Sequence, residues 1–339
     1  MRFAITSTCI RFMLAIWLLL LLALIVSPAL GGMRRAPSSM LAWVSGRNGN
    51  QEIYMLDMTY GDLANVSRHP GRDSTPAWSS DGRLAWAGWH EGNYEIYVLD
   101  LESRQIVNIS HQSGSDYAPT WSGGGWLAWV SDDGNREIYT LNVIDRRLIN
   151  ASAYTGWDDF PAWSPDGRLA WASVRSGNRE IYVQDRAARS LVNVSQHSAS
   201  DTAPTWSRDG HLAWVSERDG NPEIYVLDLE SGEPLNVSQH LAWDGLPTWS
   251  SDGRLAWVSA RDGNQEIYVL DMATGVLTNV SQHPARDTSP AWSPDGLLAW
   301  TSDRDGNQEI YVQDTTTGIL TNVSRHPAID ESPAWLPAW

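Results

Sequence analysis

The chain has 339 residues and a net charge of −16, and its strongly basic residues are all Arg because it contains no Lys. A strongly acidic protein repels phosphate backbones, so this charge argues against nucleic acid as a partner. The single cysteine, Cys9, lies near the N-terminus. The remainder of the chain can therefore form no disulfide and must depend on side-chain packing for its stability.

The N-terminal segment has the pattern of an export signal. Two arginines precede an apolar run at residues 13–26, and small residues suited to cleavage follow it. This length matches the core of a signal peptide, whereas the longer stretch 12–30 would serve as an uncleaved anchor. We expect residues 1–32 to be a signal peptide or an N-terminal membrane anchor and residues 33–39 to be a short linker. Both alternatives place the rest of the chain outside the cytoplasm, in periplasmic, secreted or membrane-anchored form.

From Met40 onward the chain repeats a unit of about 43 residues, a period typical of β-propellers. Two Trp positions recur in all seven units. One follows Leu-Ala, at Trp43, Trp86, Trp129, Trp171, Trp214, Trp257 and Trp300. The other ends a Pro-(Ala/Thr)-Trp, at Trp78, Trp121, Trp163, Trp206, Trp249, Trp292 and Trp335. We expect these residues to form the structural core, since buried aromatic rings dominate packing energies.

One unit, residues 289–324, shows how a repeat divides into strands. Short apolar runs at 289–293 and 297–302 are separated by Pro-Asp-Gly, a turn signal. A Gly-Asn turn leads to a third, alternating run at 309–314, and a fourth run follows at 319–324. Four short antiparallel strands of this kind make one propeller blade.

The two ends of the chain are out of phase with the blade. The repeats begin in a second strand, at Leu41-Ala42-Trp43, and finish just after a first strand, at Pro333-Ala334-Trp335. The sequence therefore predicts an all-β, seven-bladed β-propeller over residues 40–339, closed by the C-terminal strand joining the N-terminal blade. Such closure leaves few exposed edges, and we expect a monomer.

The repeat resembles that of the TolB-type β-propeller family. The motifs that carry the resemblance are Asp-x-x-Pro-x-Trp-Ser-Pro-Asp-Gly at residues 287–296 and Arg-Asp-Gly-Asn-x-Glu-Ile-Tyr-Val at residues 304–312. The resemblance implies a propeller located outside the cytoplasm. TolB itself has six blades and an additional α/β domain, so its role is implied less strongly than its fold. Similar repeats in prolyl oligopeptidases and oligogalacturonate lyases keep an enzymatic function open.

A further repeated position, just before an Asp that recurs in every unit, is not uniform. It is occupied by Arg72, Ser115, Trp157, Ser200, Trp243, Arg286 and Ile329. Around a closed ring the two Arg flank the Ile, and the two Trp lie on the opposite side. A channel mouth with Trp157 and Trp243 for stacking, and Arg72 and Arg286 for pairing with a carboxylate, is one interpretation. Unconstrained solvated loops are the other.

The recurring Asp and His residues also allow two interpretations. The Asp are Asp73, Asp116, Asp158, Asp201, Asp244, Asp287 and Asp330, and the His are His69, His197, His240, His283 and His326. They could bond to the backbone within each blade, or they could converge on a metal ion. Because the pattern is uniform and catalytic motifs are lacking, we expect no metal, no cofactor and no catalytic residue.

Together these features predict an exported, non-enzymatic β-propeller that acts as a binding or scaffold module at the cell envelope. Its expected partner is an envelope protein or a glycan. The alternative is a propeller enzyme, such as a metal-dependent polysaccharide lyase of the oligogalacturonate type.

Overall fold

The structure, a computed structural model, describes residues 25–26, 40–111, 113–230 and 232–337. Apart from residues 25–26, the expected export segment and linker lie outside these ranges. The described residues form seven four-stranded antiparallel sheets arranged as a ring. No helix long and apolar enough to cross a membrane occurs in these ranges. The predicted seven-bladed β-propeller is confirmed.

Each blade has four strands, which we call first to fourth from the central channel outward. The first strands are β5 (Asp73–Trp78), β9 (Ser115–Trp121), β13 (Asp158–Trp163), β17 (Asp201–Trp206), β21 (Asp244–Trp249), β25 (Asp287–Trp292) and β29 (Asp330–Trp335). The second strands are β2 (Met40–Ser45), β6 (Arg83–His90), β10 (Trp126–Asp132), β14 (Leu169–Ser173), β18 (Leu212–Ser216), β22 (Arg254–Ser259) and β26 (Leu297–Ser302).

The outer half of each blade is built in the same way. The third strands are β3 (Glu52–Asp57), β7 (Asn93–Asp100), β11 (Arg136–Asn142), β15 (Glu180–Asp185), β19 (Glu223–Leu227), β23 (Glu266–Asp271) and β27 (Glu309–Asp314). The fourth strands are β4 (Asp62–Asn65), β8 (Gln105–Asn108), β12 (Arg147–Asn150), β16 (Ser190–Asn193), β20 (Leu235–Asn236), β24 (Leu277–Asn279) and β28 (Leu320–Asn322). A short strand, β1 (Ile25–Val26), pairs with β8 at the outer edge.

The ring closes in the way that the phase of the repeat predicts. Strand β29 pairs with β2, with Trp335 opposite Leu41 and Asp330 opposite Ser45. We number the blade that holds β29 and β2–β4 as blade 1, and the others follow in chain order up to blade 7, which holds β25–β28. Neighbouring first strands contact one another all the way round, including β29 with β5.

The alternation of strand directions gives the ring two distinct faces. Turns between second and third strands, and connections from each fourth strand to the next blade, lie on what we call the upper face. Turns between first and second strands, and between third and fourth strands, lie on the lower face. The Gly of every Gly-Asn turn on the upper face has a positive φ, as at Gly306 (95°), which suits a tight hairpin.

The core lies between neighbouring blades. All seven Trp of the second strands are buried, and those of the first strands are buried except for Trp249 and Trp292, which are partly exposed. At the closure, Trp43 packs with Ile310 and Val312 of blade 7. Burying one Trp contributes roughly 4–6 kcal/mol as an upper limit.

A bulge in every first strand shapes the central channel. The residue just before the Pro adopts a left-handed backbone conformation, with φ of 50° at Thr75 and 57° at Ser332, and the register of pairing shifts there. These residues are Thr75, Ala118, Phe160, Ala203, Leu246, Ser289 and Ser332. Together with the Pro residues they line a central cavity of about 470 Å³.

Candidate functional site

The four side chains proposed for ligand binding all lie on the upper face, where the chain enters a first strand. Trp157 is 52% exposed and Trp243 is 37% exposed, and Arg72 and Arg286 are also exposed. Trp157 and Trp243 belong to blades 4 and 6, whereas Arg286 and Arg72 belong to blades 7 and 2. The closed ring therefore brings the two Trp to one side of the channel mouth and the two Arg to the other.

The two Trp side chains are held differently. The guanidinium carbon of Arg136, in blade 3, lies 4.8 Å from the ring centroid of Trp157. Arg136 forms ion pairs of 3.0 Å with Asp132 and Asp159, so this cation is already neutralised. Trp243 instead lies against its own strand. Its indole approaches Gly245 so closely that a Cβ atom at that position would be 2.4 Å from Cζ2.

The two Arg side chains also differ. Nε of Arg286 donates a hydrogen bond to Oε1 of Gln265, and its backbone N–H donates to Asp303 at 2.7 Å. The side chain of Arg72 forms no hydrogen bond or ion pair with another residue of the described ranges. Arg72 is therefore the more available partner for a carboxylate.

Two site residues are added by the structure. Phe160 and Leu246, three positions after Trp157 and Trp243, are 45% and 46% exposed and line the channel. We call Trp157, Phe160, Trp243 and Leu246 the apolar arc. The same alignment of repeats could have found Phe160 and Leu246, since no other unit has a large apolar residue before its Pro.

The opposite side of the channel has the complementary character. Ser289, Ser332 and Thr75 line the channel in blades 7, 1 and 2. Blades 7 and 2 also carry Arg286 and Arg72 on the rim, whereas blade 1 carries Ile329 there. Large apolar residues therefore occur at both the rim and the channel position in blades 4 and 6, and blades 7 and 2 are polar at both positions.

The recurring Asp residues do not bond mainly to backbone, which corrects one of the two sequence interpretations. In blade 7, Asp287 forms an ion pair of 3.2 Å with Arg304 and accepts a 3.1 Å hydrogen bond from Nε1 of Trp300. Equivalent Asp–Arg pairs are Asp330–Arg47, Asp158–Arg175, Asp201–Arg218 and Asp244–Arg261. Sequence reasoning missed these Arg, although within a unit they recur 17 residues after the Asp.

Blades 2 and 3 lack this ion pair. His90 and Asp133 stand where the other blades have Arg. Asp73 and Asp116 are fully buried and have no Arg partner among the described residues. Neighbouring Ser and Trp side chains lower their pKa values, but by less than burial raises them. Burial raises the pKa of Asp73 to about 7 and that of Asp116 to about 6.

The recurring His residues do bond to the backbone. Nδ1 of each accepts a hydrogen bond from the backbone N–H two residues later, at His69, His197, His240, His283 and His326. In blade 2 the ring of His69 also stacks on His90, with centroids 3.2 Å apart. Burial lowers the pKa of both, that of His90 to about 4. Within the described ranges, no group of three His, Cys, Asp or Glu side chains could hold a metal ion.

A ring of seven four-stranded blades around a central channel defines a β-propeller protein. The chain belongs to the TolB β-propeller domain family, whose model matches residues 21–156, 134–253 and 212–338. No curated protein matches the chain.

Solved structures share the fold at low identity. TolB from Acinetobacter baumannii is 20% identical, with a TM-score of 0.62 over 91% of this chain and 69% of that chain. An oligogalacturonate lyase in complex with manganese is 16% identical, with a TM-score of 0.62 over 86% of this chain and 87% of that chain. A puromycin-hydrolyzing peptidase from Mycobacterium tuberculosis is 18% identical, with a TM-score of 0.70 over 89% of this chain and 55% of that chain.

Proposed function

We propose that this chain is a non-enzymatic binding module of the cell envelope that holds its ligand across the upper mouth of the channel. The observation that carries the proposal is the coincidence of large apolar residues at the rim and in the channel lining. Copies of one repeat differ at two positions, and both positions are large and apolar in blades 4 and 6 only. Independent drift at the two positions would not be expected to place both changes in the same two blades.

The geometry favours a ligand with one apolar and one acidic end. The apolar arc offers stacking and contact area for an aromatic side chain or a sugar ring. Arg72 and Arg286 offer guanidinium groups that suit a carboxylate. An envelope protein segment or an acidic glycan meets this description, and both are partners compatible with a location outside the cytoplasm.

Binding accounts for the site better than catalysis. Three carboxyl groups have raised pKa values, and a general base must come within hydrogen-bond reach of the substrate. Asp73 and Asp116 are fully buried, and Asp159 is buried and paired with Arg136. The recurring His side chains have one ring nitrogen engaged by the backbone. The alternative, a polysaccharide lyase, is favoured by the similarity in fold to the manganese-bound oligogalacturonate lyase. Turnover of polygalacturonate by the purified propeller with added manganese would establish that alternative.

The proposal can be tested once a ligand is captured by a pull-down from envelope extract and a glycan array. The double substitution Trp157→Ala, Trp243→Ala should lower affinity at least tenfold, about 1.4 kcal/mol, because it removes both stacking surfaces. Its stability should change by less than about 1 kcal/mol, since the two rings are half exposed.

A matched control is available on the same face. Trp89, in blade 2, is 42% exposed and lies outside the apolar arc. Trp89→Ala removes an indole of similar exposure and should leave affinity unchanged. Equal affinity in the wild type and in the double variant would exclude the apolar arc as the ligand site.

A further inference from the structure

A second cavity lies on the lower face, between blades 3 and 4, and is unusual in its charge. Its volume is about 830 Å³. Four Arg line it, namely Arg147, Arg168, Arg186 and Arg189. Only two acidic residues line it, in a chain whose net charge is −16. We call this cavity the arginine groove.

Arg186 departs from what the repeat requires. The other blades have Met58, Leu101, Val143, Leu229, Met272 or Thr315 at its position. Several of these apolar residues pack in the core between blades, as Leu101 and Leu229 do. Arg186 instead lies on Trp126 of blade 3, its guanidinium carbon 3.5 Å from the ring centroid. A guanidinium that uses its face for an aromatic contact keeps the N–H donors at its edge for an acceptor.

Three other departures occur around the same groove. Arg147 is the only cation at its position, where other blades have Asp62, Gln105, Ser190, Glu233, Val276 and Ile319. Trp126 stands where the repeat has Met, Arg, His or Leu. Gly124 replaces an Asp that occurs in the same turn of other blades, as at Asp81 and Asp252. Each change adds a cation, removes an anion or provides a surface on which a cation stacks.

The acidic residues at the groove are already engaged. Asp166 pairs with Arg168 at 2.9 Å. The carboxylate of Asp185 accepts the backbone N–H groups of Ala187 and Ala188, and nearby Asp145 accepts the N–H of Arg147.

The remaining cations of the groove lack a counter-charge. No Asp or Glu carboxylate of the described residues lies within 4 Å of the guanidinium groups of Arg147, Arg186 or Arg189. These three side chains therefore form no ion pair within the described ranges. Burial lowers the pKa of Arg186, and the charge of Arg147 lowers it further. Arg186 is partly buried and Arg147 is exposed, and two cations that lie close together favour an anion between them.

Backbone strain is retained at the same place. Arg189 and the neighbouring Arg146 have φ values of 54° and 58°, in the left-handed region. Blades 1, 5, 6 and 7 have Gly at this position, which adopts that conformation without a steric penalty. Arg104 of blade 2, which is not at the groove, has a φ of 59° as well, so this conformation belongs to the turn and the argument for the groove depends on its charges.

We propose that the arginine groove binds a small dianionic oxyanion, a phosphate, a sulfate or a monoester of either, between Arg147 and Arg186. Guanidinium groups bind such oxygens in a bidentate manner. The site lies on the face opposite the apolar arc and does not depend on the function proposed for that arc.

The test is calorimetric titration of the soluble propeller with inorganic phosphate and inorganic sulfate at constant ionic strength. Arg186→Leu introduces the residue that Leu101 and Leu229 already provide at this position, so the fold should be retained. It should weaken binding of both anions at least tenfold. Arg147→Gln, which copies Gln105, should also weaken binding.

Arg104→Gly is the matched control. Arg104 occupies the left-handed turn position of blade 2, and the residue of blade 2 that corresponds to Arg186 is Leu101. This variant should bind as the wild type does. Glucose 6-phosphate distinguishes a free anion from a monoester as the ligand. Tighter binding of glucose 6-phosphate than of inorganic phosphate would identify a monoester. Trp157→Ala, Trp243→Ala should leave anion binding intact. Absence of saturable binding, or equal binding by wild type and Arg186→Leu, would overturn the proposal.

Discussion

Blades 1 and 4–7 differ from blades 2 and 3 in how they hold the buried Asp of the first strand. In blade 7, the carboxylate of Asp287 is held by Arg304 and Trp300. In blades 2 and 3 the Arg is missing, and Asp73 and Asp116 are buried without a cation. All seven blades nevertheless have the same four antiparallel strands, although the hairpin between second and third strands is longer in blades 2 and 3. The ion pair is therefore not needed to form a blade, and the two groups of blades differ in electrostatics rather than in fold.

The unpaired blades can remain folded because a carboxyl group can be neutralised by a proton. A buried charge without a partner is costly, and the group responds by raising its pKa. The pKa of Asp73 reaches about 7 and that of Asp116 about 6. An unfolded Asp has a pKa of about 3.9. Below about pH 4 both states are protonated, and the cost to folding is absent. It grows as the pH rises through the folded-state pKa, so these blades lose stability towards neutral pH.

The largest effect is expected from converting a paired blade into an unpaired one. Arg304→Ala leaves Asp287 buried without its cation and should destabilise the protein by about 3–5 kcal/mol at pH 8. The loss should be smaller at pH 5, where Asp287 could take up a proton. Urea unfolding at the two pH values measures both quantities. Arg325→Ala, at an exposed Arg of the same blade, is the control and should change stability by less than about 0.5 kcal/mol. A loss independent of pH would contradict the electrostatic explanation.

The next effect has the opposite sign. Asp73→Asn removes a group that must either take up a proton or carry an unpaired charge at pH 8. It should stabilise the protein there by at most about 4 kcal/mol, from 1.36 kcal/mol per pKa unit, and should have little effect at pH 4. Asp287→Asn in blade 7 is the matched comparison and should destabilise, because it leaves Arg304 without its anion. If both substitutions changed stability in the same direction, the distinction between the two groups of blades would be wrong.

Blade 3 should show the same behaviour at lower pH. The pKa of Asp116 is raised less than that of Asp73, so Asp116→Asn should stabilise by at most about 3 kcal/mol at pH 8. The midpoint of the pH-dependent difference from the wild type should lie about half a unit lower than for Asp73→Asn, because both differences begin to grow near the same unfolded pKa. Titration of the two carboxyl groups by NMR would check the order directly. A midpoint for Asp116 above that for Asp73 would contradict it.

The contrast between blades also shows what could be predicted from one sequence. The repeated Trp residues were sufficient to predict the number of blades. The strands at which the repeats begin and end were sufficient to predict the pairing of β29 with β2, because both predictions follow from local period and hydrophobicity. The partners of the buried Asp were missed, since Arg304 approaches Asp287 only when the second strand returns beside the first. Phe160 and Leu246 were missed because their direction depends on a bulge. The arginine groove joins residues of two blades, and no local pattern reports that packing.

The smallest effect comes from the residue that replaces Arg in blade 2. His90 lies 3.2 Å from His69 and 4.5 Å from Tyr97, centroid to centroid. Burial lowers its pKa to about 4, below the unfolded value of about 6.5. A depressed His pKa means that the unfolded state binds the proton more readily, so this group costs stability as the pH falls from about 6.5 towards 4.

His90→Phe keeps a ring against His69 and Tyr97 but cannot be protonated. It should reduce the loss of stability between pH 6.5 and pH 4 by about 1 kcal/mol, after allowance for partial exposure of the imidazole. Asp73 and His90 thus oppose each other within one blade, because the first destabilises above pH 4 and the second destabilises below pH 6.5. Their pH dependences therefore partly cancel between pH 4 and pH 6.5. An unchanged loss of stability at acid pH in His90→Phe would assign that loss to other groups.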